Sequence, residues 1–241
     1  MEIVKQEIEI PTGQERMSCH IARPTSGGPY PALVVVMEVF GLNDNIRKLA
    51  DRFASEGFVT LAPHLYFRVP GKNVVGYSEM PEAFKLAASL NDDQVVADMG
   101  ACINYLKTQK DVAPKVGVVG FCMGGRITFL TACRNSAVDA AVPFYGGGMV
   151  TAQAGRKAPI EYVNQLRAPV LAFFGGKDAF IPAADVEKFR VETQRAGKNV
   201  EVVLYPDADH GFMCDERPSF HPTHSKEAWA RAVEFFKRNL S

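Results

Sequence analysis

Hydrophobic and polar positions alternate twice at the start of the chain, around Val4–Ile10 and again around Met17–Ala22. Pro11-Thr12-Gly13 between them reads as a turn, so the two segments predict an antiparallel hairpin. Past Gly27-Gly28-Pro29 the pattern changes to an unbroken apolar run, Ala32–Met37, of the kind buried on both faces of a sheet. A helical period over Asp44–Ser55 follows and stops at Gly57. From there strand and helix patterns take turns. Strands are expected at Phe58–Ala62, Val116–Val119, Ala140–Phe144, Val170–Phe174 and Val200–Leu204. Helices are expected from Met123, over Ala183–Arg195, and at the end, where Trp229, Val233 and Phe236 recur at i, i+4, i+7.

Alternating β and α units with apolar strands predict an α/β fold: a mostly parallel central sheet with helices on both faces and an N-terminal antiparallel hairpin. Neither repeats nor a linker interrupt the 241 residues, so one domain over 1–241 is expected. Two segments are longer than ordinary connections, Pro63–Tyr77 and Gly146–Ala168. Both follow strands, and loops after strand C-termini line the ligand crevice of open α/β sheets, which makes both candidate pocket walls or lids.

Composition narrows the function. Hydrophobic residues make up 47% of the chain, enough for a large core, and 27 basic residues balance 27 acidic ones. That balance gives no electrostatic case for nucleic acid or an anionic membrane. No run approaches the ~18 apolar residues of a membrane span, and the start of the chain lacks the apolar stretch of a signal peptide. The five cysteines, at 19, 102, 122, 133 and 214, are odd in number and irregular in spacing. A disulfide framework is therefore not expected and a reducing cytoplasm is the default compartment. The expected partner is a small molecule, bound by a monomer or weak homodimer.

The most informative run is Val116-Gly-Val-Val-Gly-Phe-Cys-Met-Gly-Gly125. A strand enters Gly120-x-Cys122-x-Gly124 and a helix leaves it, which is the nucleophile-elbow pattern with cysteine in place of serine. The turn is tight, so residues two before and two after the nucleophile must lack bulk. The sulfur then stands at a helix N-terminus, which favours a thiolate and offers the Met123 N–H to an oxyanion. An elbow nucleophile takes an acid and then a histidine from later in the chain. Asp178 follows the strand Val170–Phe174, and His210 follows the strand Val200–Leu204. Both thus lie at the strand edge that carries Cys122, where Asp178 would orient the His210 ring. A helix N-cap is the other reading of Asp178. Asp207 and Asp209 are poorer acids because they sit too near His210 to turn onto its ring. His20, His64, His221 and His224 have no ligand spacing, so neither a metal nor a cofactor is expected.

These residues resemble the dienelactone hydrolase family of α/β-hydrolases. The likeness rests on Glu38-Val-Phe-Gly-Leu-Asn43, Gly120-Phe-Cys122-Met-Gly-Gly125, Gly175-Gly-Lys-Asp178-x-x-Ile-Pro182 and His210-Gly-Phe, in that order. The resemblance implies the α/β-hydrolase fold and Cys–Asp–His hydrolysis of small esters or lactones without a cofactor. It also implies that Glu38 helps convert the thiol to thiolate and that the Val39 N–H is the second oxyanion donor. Read from the residues alone, Glu38 is a carboxylate at a buried edge that needs a partner, such as a structural salt bridge. Phe84, Tyr145 and Arg217 are expected in the substrate pocket. The family's two carboxylate-binding arginine positions read Met80 and Cys214 here, with Arg217, Arg68 or Lys72 as candidate substitutes. The expectation is a preference for neutral esters over carboxylate-bearing ones. Other acyl hydrolases on the same triad, a catalytically inert binding protein and a redox role for Cys122 stay open alongside it.

Overall fold

The computed structural model describes all residues except 153 and 154. Eight strands form one sheet: β1 (Ile3–Thr12), β2 (Glu15–Pro24), β3 (Tyr30–Val36), β4 (Val59–Pro63), β5 (Val112–Phe121), β6 (Ala140–Phe144), β7 (Val170–Gly175) and β8 (Val200–Tyr205). Their order is β1-β2-β4-β3-β5-β6-β7-β8. β1 and β2 form the expected hairpin, and β2 runs antiparallel to β4. All remaining pairs are parallel. The helices are α1 (Asp44–Ser55), α2 (Met80–Ala88), α3 (Asp92–Lys107), α4 (Met123–Arg134), α5 (Ala183–Arg195) and α6 (Pro222–Leu240), with a 3-10 turn at Pro159–Gln165.

Local chemistry sets these boundaries. Asn43 caps α1 by accepting the Ile46 N–H at 3.1 Å, and Gly57, at φ +95°, ends it. Asn91 caps α3 through Asp93 N and Gln94 N. The central strands are buried on both faces, as continuous apolar runs require: Ala32 to Met37 are wholly inaccessible. Register then aligns the carboxyl ends. Val36 pairs with Gly120, Gly120 with Pro143, and Gly175 with Tyr205. Residues just past β3, β5, β7 and β8 therefore come out along one edge.

The Pro63–Tyr77 segment does not line the main cavity, contrary to expectation. Its apolar side chains Leu65, Tyr66 and Val75 are buried in the core, and Val75 N–H donates to the Phe40 carbonyl at 3.0 Å. The cavity wall at that end is α2 instead. No helix among the described residues is long and apolar enough to cross a membrane.

Candidate active site

β5 leaves the sheet at Phe121, and Cys122 takes φ 55°, ψ −118° immediately before α4. A side chain at positive φ is strained, and such strain persists only where the surroundings fix it. Here the Cys122 N–H donates to the Phe144 carbonyl at 3.1 Å and its carbonyl accepts from Gly125 N at 2.9 Å. The neighbouring glycines are sterically required: a Cβ on Gly120 would strike the Gly124 carbonyl, one on Gly124 the Val36 carbonyl, and one on Gly125 the Phe144 carbonyl. Met123 opens α4, so its N–H is one of the first-turn donors that a helix leaves without an internal partner.

Asp178 and His210 meet as the spacing predicts. His210 Nδ1 lies 2.7 Å from Asp178 Oδ2, and the carboxylate side chain is fully buried. Asp178 Oδ1 accepts from Phe180 N at 2.8 Å and Ile181 N at 3.2 Å, so the carboxylate is held by its own turn. It is not a helix cap, because Pro182 holds that position for α5. Asp209 turns onto the His210 backbone N–H at 2.6 Å. Burial alone would lower the pKa of His210. Coulombic attraction to Cys122 and the hydrogen bond to Asp178 outweigh burial and raise it to about 10.

Glu38 is fully buried just past β3, and neither of its carboxylate oxygens has a hydrogen-bond partner among the described residues. Burial pushes its pKa up, opposed by the positive charges of Arg217 and His210. Arg217 Nη1 stands 3.7 Å from Glu38 Oε1, near enough for attraction but not hydrogen-bonded. The guanidinium also lies 5.6 Å from the Phe40 ring and 5.7 Å from that of Tyr77. The next residue, Val39, is anchored through its carbonyl, which accepts the buried Tyr66 hydroxyl at 3.0 Å; the same hydroxyl is 3.4 Å from Met123 Sδ. Tyr66 thus touches both residues expected to supply oxyanion donors. No local pattern marks Tyr66, whose segment has the length and position of a pocket wall.

A cavity of about 240 Å3 opens over Cys122 and His210. Val39, Met123, Met80, Phe84 and Arg217 line it, as does Phe180, whose ring meets that of His210 edge-on at 5.1 Å. Tyr145, expected in the pocket, is buried behind His210 with the rings 5.2 Å apart and does not line the cavity. Arg68 is committed elsewhere, paired with Asp98 and Glu15, and Lys72 pairs with Glu79. Cys214 is buried, and its thiol donates to Tyr77 Oη at 3.3 Å. The cavity nevertheless carries charge that the sequence reading did not anticipate: Asp92, Arg126 and Arg156 lie in its wall.

The remaining histidines lie away from the cavity. His20 bridges Glu7 and Asp51, and His64 Nε2 lies 3.0 Å from Asn73 Oδ1. His221 and His224 come together with exposed Asp207, their ligand atoms within 4.8 Å of one another, a trio of metal-ligating types that residue spacing did not disclose. The two rings stack at 4.1 Å, and His221 Nδ1 accepts the His224 N–H at 3.3 Å as the cap of α6.

The family model described as "Dienelactone hydrolase family" matches residues 17–240. A protein of Escherichia coli strain K12 named "Putative carboxymethylenebutenolidase" is 36% identical over 98% of this chain and 88% of its own length. One of the same name from Synechocystis sp. is 34% identical over 97% of this chain and 96% of its own. The crystal structure titled "Putative Dienelactone Hydrolase from Klebsiella pneumoniae subsp. pneumoniae" superposes with a TM-score of 0.92 at 38% identity, covering 98% of this chain and 99% of that one. On these likenesses and the eight-stranded, mostly parallel sheet, the chain belongs to the dienelactone hydrolase family and is a carboxylic ester hydrolase on the α/β-hydrolase fold.

Proposed function

We propose that the chain hydrolyses small esters or lactones through an acyl-enzyme, with Cys122 as nucleophile, His210 as acid and then base, and Asp178 as the residue that orients His210. The observation that carries this reading is the strained Cys122 at a helix start, sharing one cavity with a His210 held by a buried carboxylate. With its pKa near 10, His210 carries a proton at neutral pH. The Cys122 sulfur then attacks the carbonyl carbon as the thiolate. The tetrahedral oxygen faces the Met123 and Val39 N–H groups. The carbon–oxygen bond breaks as His210 delivers its proton to the leaving oxygen. Acylation removes the sulfur's charge and with it a main reason for the high His210 pKa. The imidazole is then neutral and takes a proton from the water that attacks the thioester. Glu38 and Arg217, beside this pair, complete the electrostatic surroundings, with Glu38 assisting thiolate formation. The cavity size suits a small substrate.

The test is turnover of a neutral aryl ester by Cys122→Ala and His210→Ala, with folding checked by circular dichroism. Each should lose about 10^3-fold or more in kcat/KM. Wild-type rates in a folded Cys122→Ala protein would remove the proposed nucleophile.

A further inference from the structure

Arg126 lies in the first turn of α4, its backbone N–H 3.3 Å from the Cys122 carbonyl, and it lines the same cavity as the nucleophile. It is only 7% exposed, and a buried guanidinium requires a partner. Asp92, in the first turn of α3, supplies one with bidentate contacts of 2.9 and 2.8 Å. That pair is already neutral. A second guanidinium, Arg156, nevertheless approaches the same carboxylate, with Nη1 4.0 Å from Asp92 Oδ1. Its Nη2 donates to the carbonyls of Ala87, Ala88 and Leu90 where α2 ends. Two cations thus share one carboxylate in the cavity wall, at the end away from His210 and Arg217 formed by α2, α3 and α4, and among the described residues one positive charge is left over. Neutralising Arg126 does not require this arrangement: Arg156, its side chain 28% exposed, is steadied by backbone carbonyls and solvent, yet no carboxylate cancels its charge where it faces the cavity.

We propose that Asp92, Arg126 and Arg156 form a subsite for a carboxylate on the acyl portion of the substrate, making half-esters of short dicarboxylic acids the preferred substrate class. This rests on the hydrolase reading above. The acyl side is assigned by geometry: the leaving oxygen must face His210, whereas the acyl group stays bonded to the Cys122 sulfur, against the helix that carries Arg126. The incoming carboxylate supplies the second negative charge for the two guanidiniums. Asp92 sets the strength of the site by cancelling part of its charge.

The experiment compares kcat/KM for phenyl adipate, which bears a free carboxylate, with that for phenyl methyl adipate, following phenol release. The wild type should favour the half-ester. Arg156→Gln should lower the ratio of the two constants by about tenfold, the scale of one charge-assisted contact at a partly open site. Arg156→Lys should retain most of the preference. Asp92→Asn should raise the ratio, a direction that loss of a merely structural residue does not produce. The proposal fails if the ratio is unmoved in Arg156→Gln, if it falls in Asp92→Asn, or if it depends on Arg217→Ala alone. Those outcomes leave the hydrolase reading intact, whereas persistence of both activities in Cys122→Ala would overturn that reading instead.

Discussion

His210 and Glu38 are both buried ionisable groups, but their surroundings act on them in opposite ways. His210 has partners that stabilise its charged form, whereas Glu38 has two bare oxygens and an arginine at arm's length. For His210 the expected outcome is a ring that titrates near pH 10 in the wild type and clearly lower in Cys122→Ala, because the main charge opposing burial is then absent. Nitrogen-15 chemical shifts of the imidazole measure this directly, and an unchanged titration would show that the sulfur is not its partner. Activity should correspondingly decline as the pH rises through about 10, where the leaving group loses its proton donor. For Glu38 the pKa is also raised, but there the neutral form is the favoured one. Its pKa is raised in the folded protein, so its contribution to stability is fully present below the unfolded value of 4.5 and is lost as pH rises from there toward the folded value. Glu38→Gln lacks that term. The stability of the variant relative to wild type should therefore increase with pH across this window, by at most about 1.4 kcal/mol per pH unit for one proton. Chemical denaturation at several pH values reads the difference, and a difference that shrinks with pH would mean that Glu38 is ionised through a partner.

The same contrast governs the elements. The turn between β5 and α4 was legible in the sequence because everything it needs is contiguous: an apolar strand, glycines flanking Cys122, then a helix. Asp178 and His210 were legible for a related reason, since each follows a strand and parallel strands end on one edge. Other features depended on which distant elements meet. Asp92 and Arg126 are 34 residues apart on different helices, and no local pattern marks them as partners. Tyr66 reaches Val39 from a segment whose apolar side chains turn inward. Tyr145 was misplaced because a residue just past β6 has two ways to point, and this one packs behind His210. The elbow also makes a sharp prediction. Gly120→Ala should cost roughly 1–3 kcal/mol or more through overpacking and should reduce activity as well, since its Cβ meets backbone that holds the nucleophile. Gly100→Ala, within α3, meets only the movable Asn135 side chain at 3.2 Å and should be near neutral or stabilising. Thermal melts together with specific activity separate the two. Equal effects would place the tight packing elsewhere than at the elbow.

At the scale of the whole molecule, the sheet separates stability from chemistry. The candidate site sits beyond the carboxyl ends of the strands, whereas the aromatic cluster that docks α1 and α6 lies on a sheet face. Phe53 packs against Phe58, Trp229 and Phe236, and Phe236 also meets Phe58 with ring centroids 6.2 Å apart. Gly117 of β5 leaves the space that the Phe236 and Leu240 side chains fill. From Gly117 to Cys122 the chain runs five residues of strand, roughly 16 Å at about 3.3 Å per residue. Phe236→Ala should therefore remove core without moving the sulfur. Deleting a buried phenylalanine side chain costs about 3–5 kcal/mol. For a protein of this size each kcal/mol lowers Tm by roughly 2–4 °C, so a fall of about 6–20 °C is expected. Well below that new Tm, the rate per titrated thiol should match wild type, since neither the elbow nor the cavity wall includes residue 236. The measurement pairs a thermal melt with turnover normalised to the burst of acylated Cys122. A normalised rate that dropped in step with stability would show that the docked helix also sets the geometry of the edge, and the separation between face and edge would not hold.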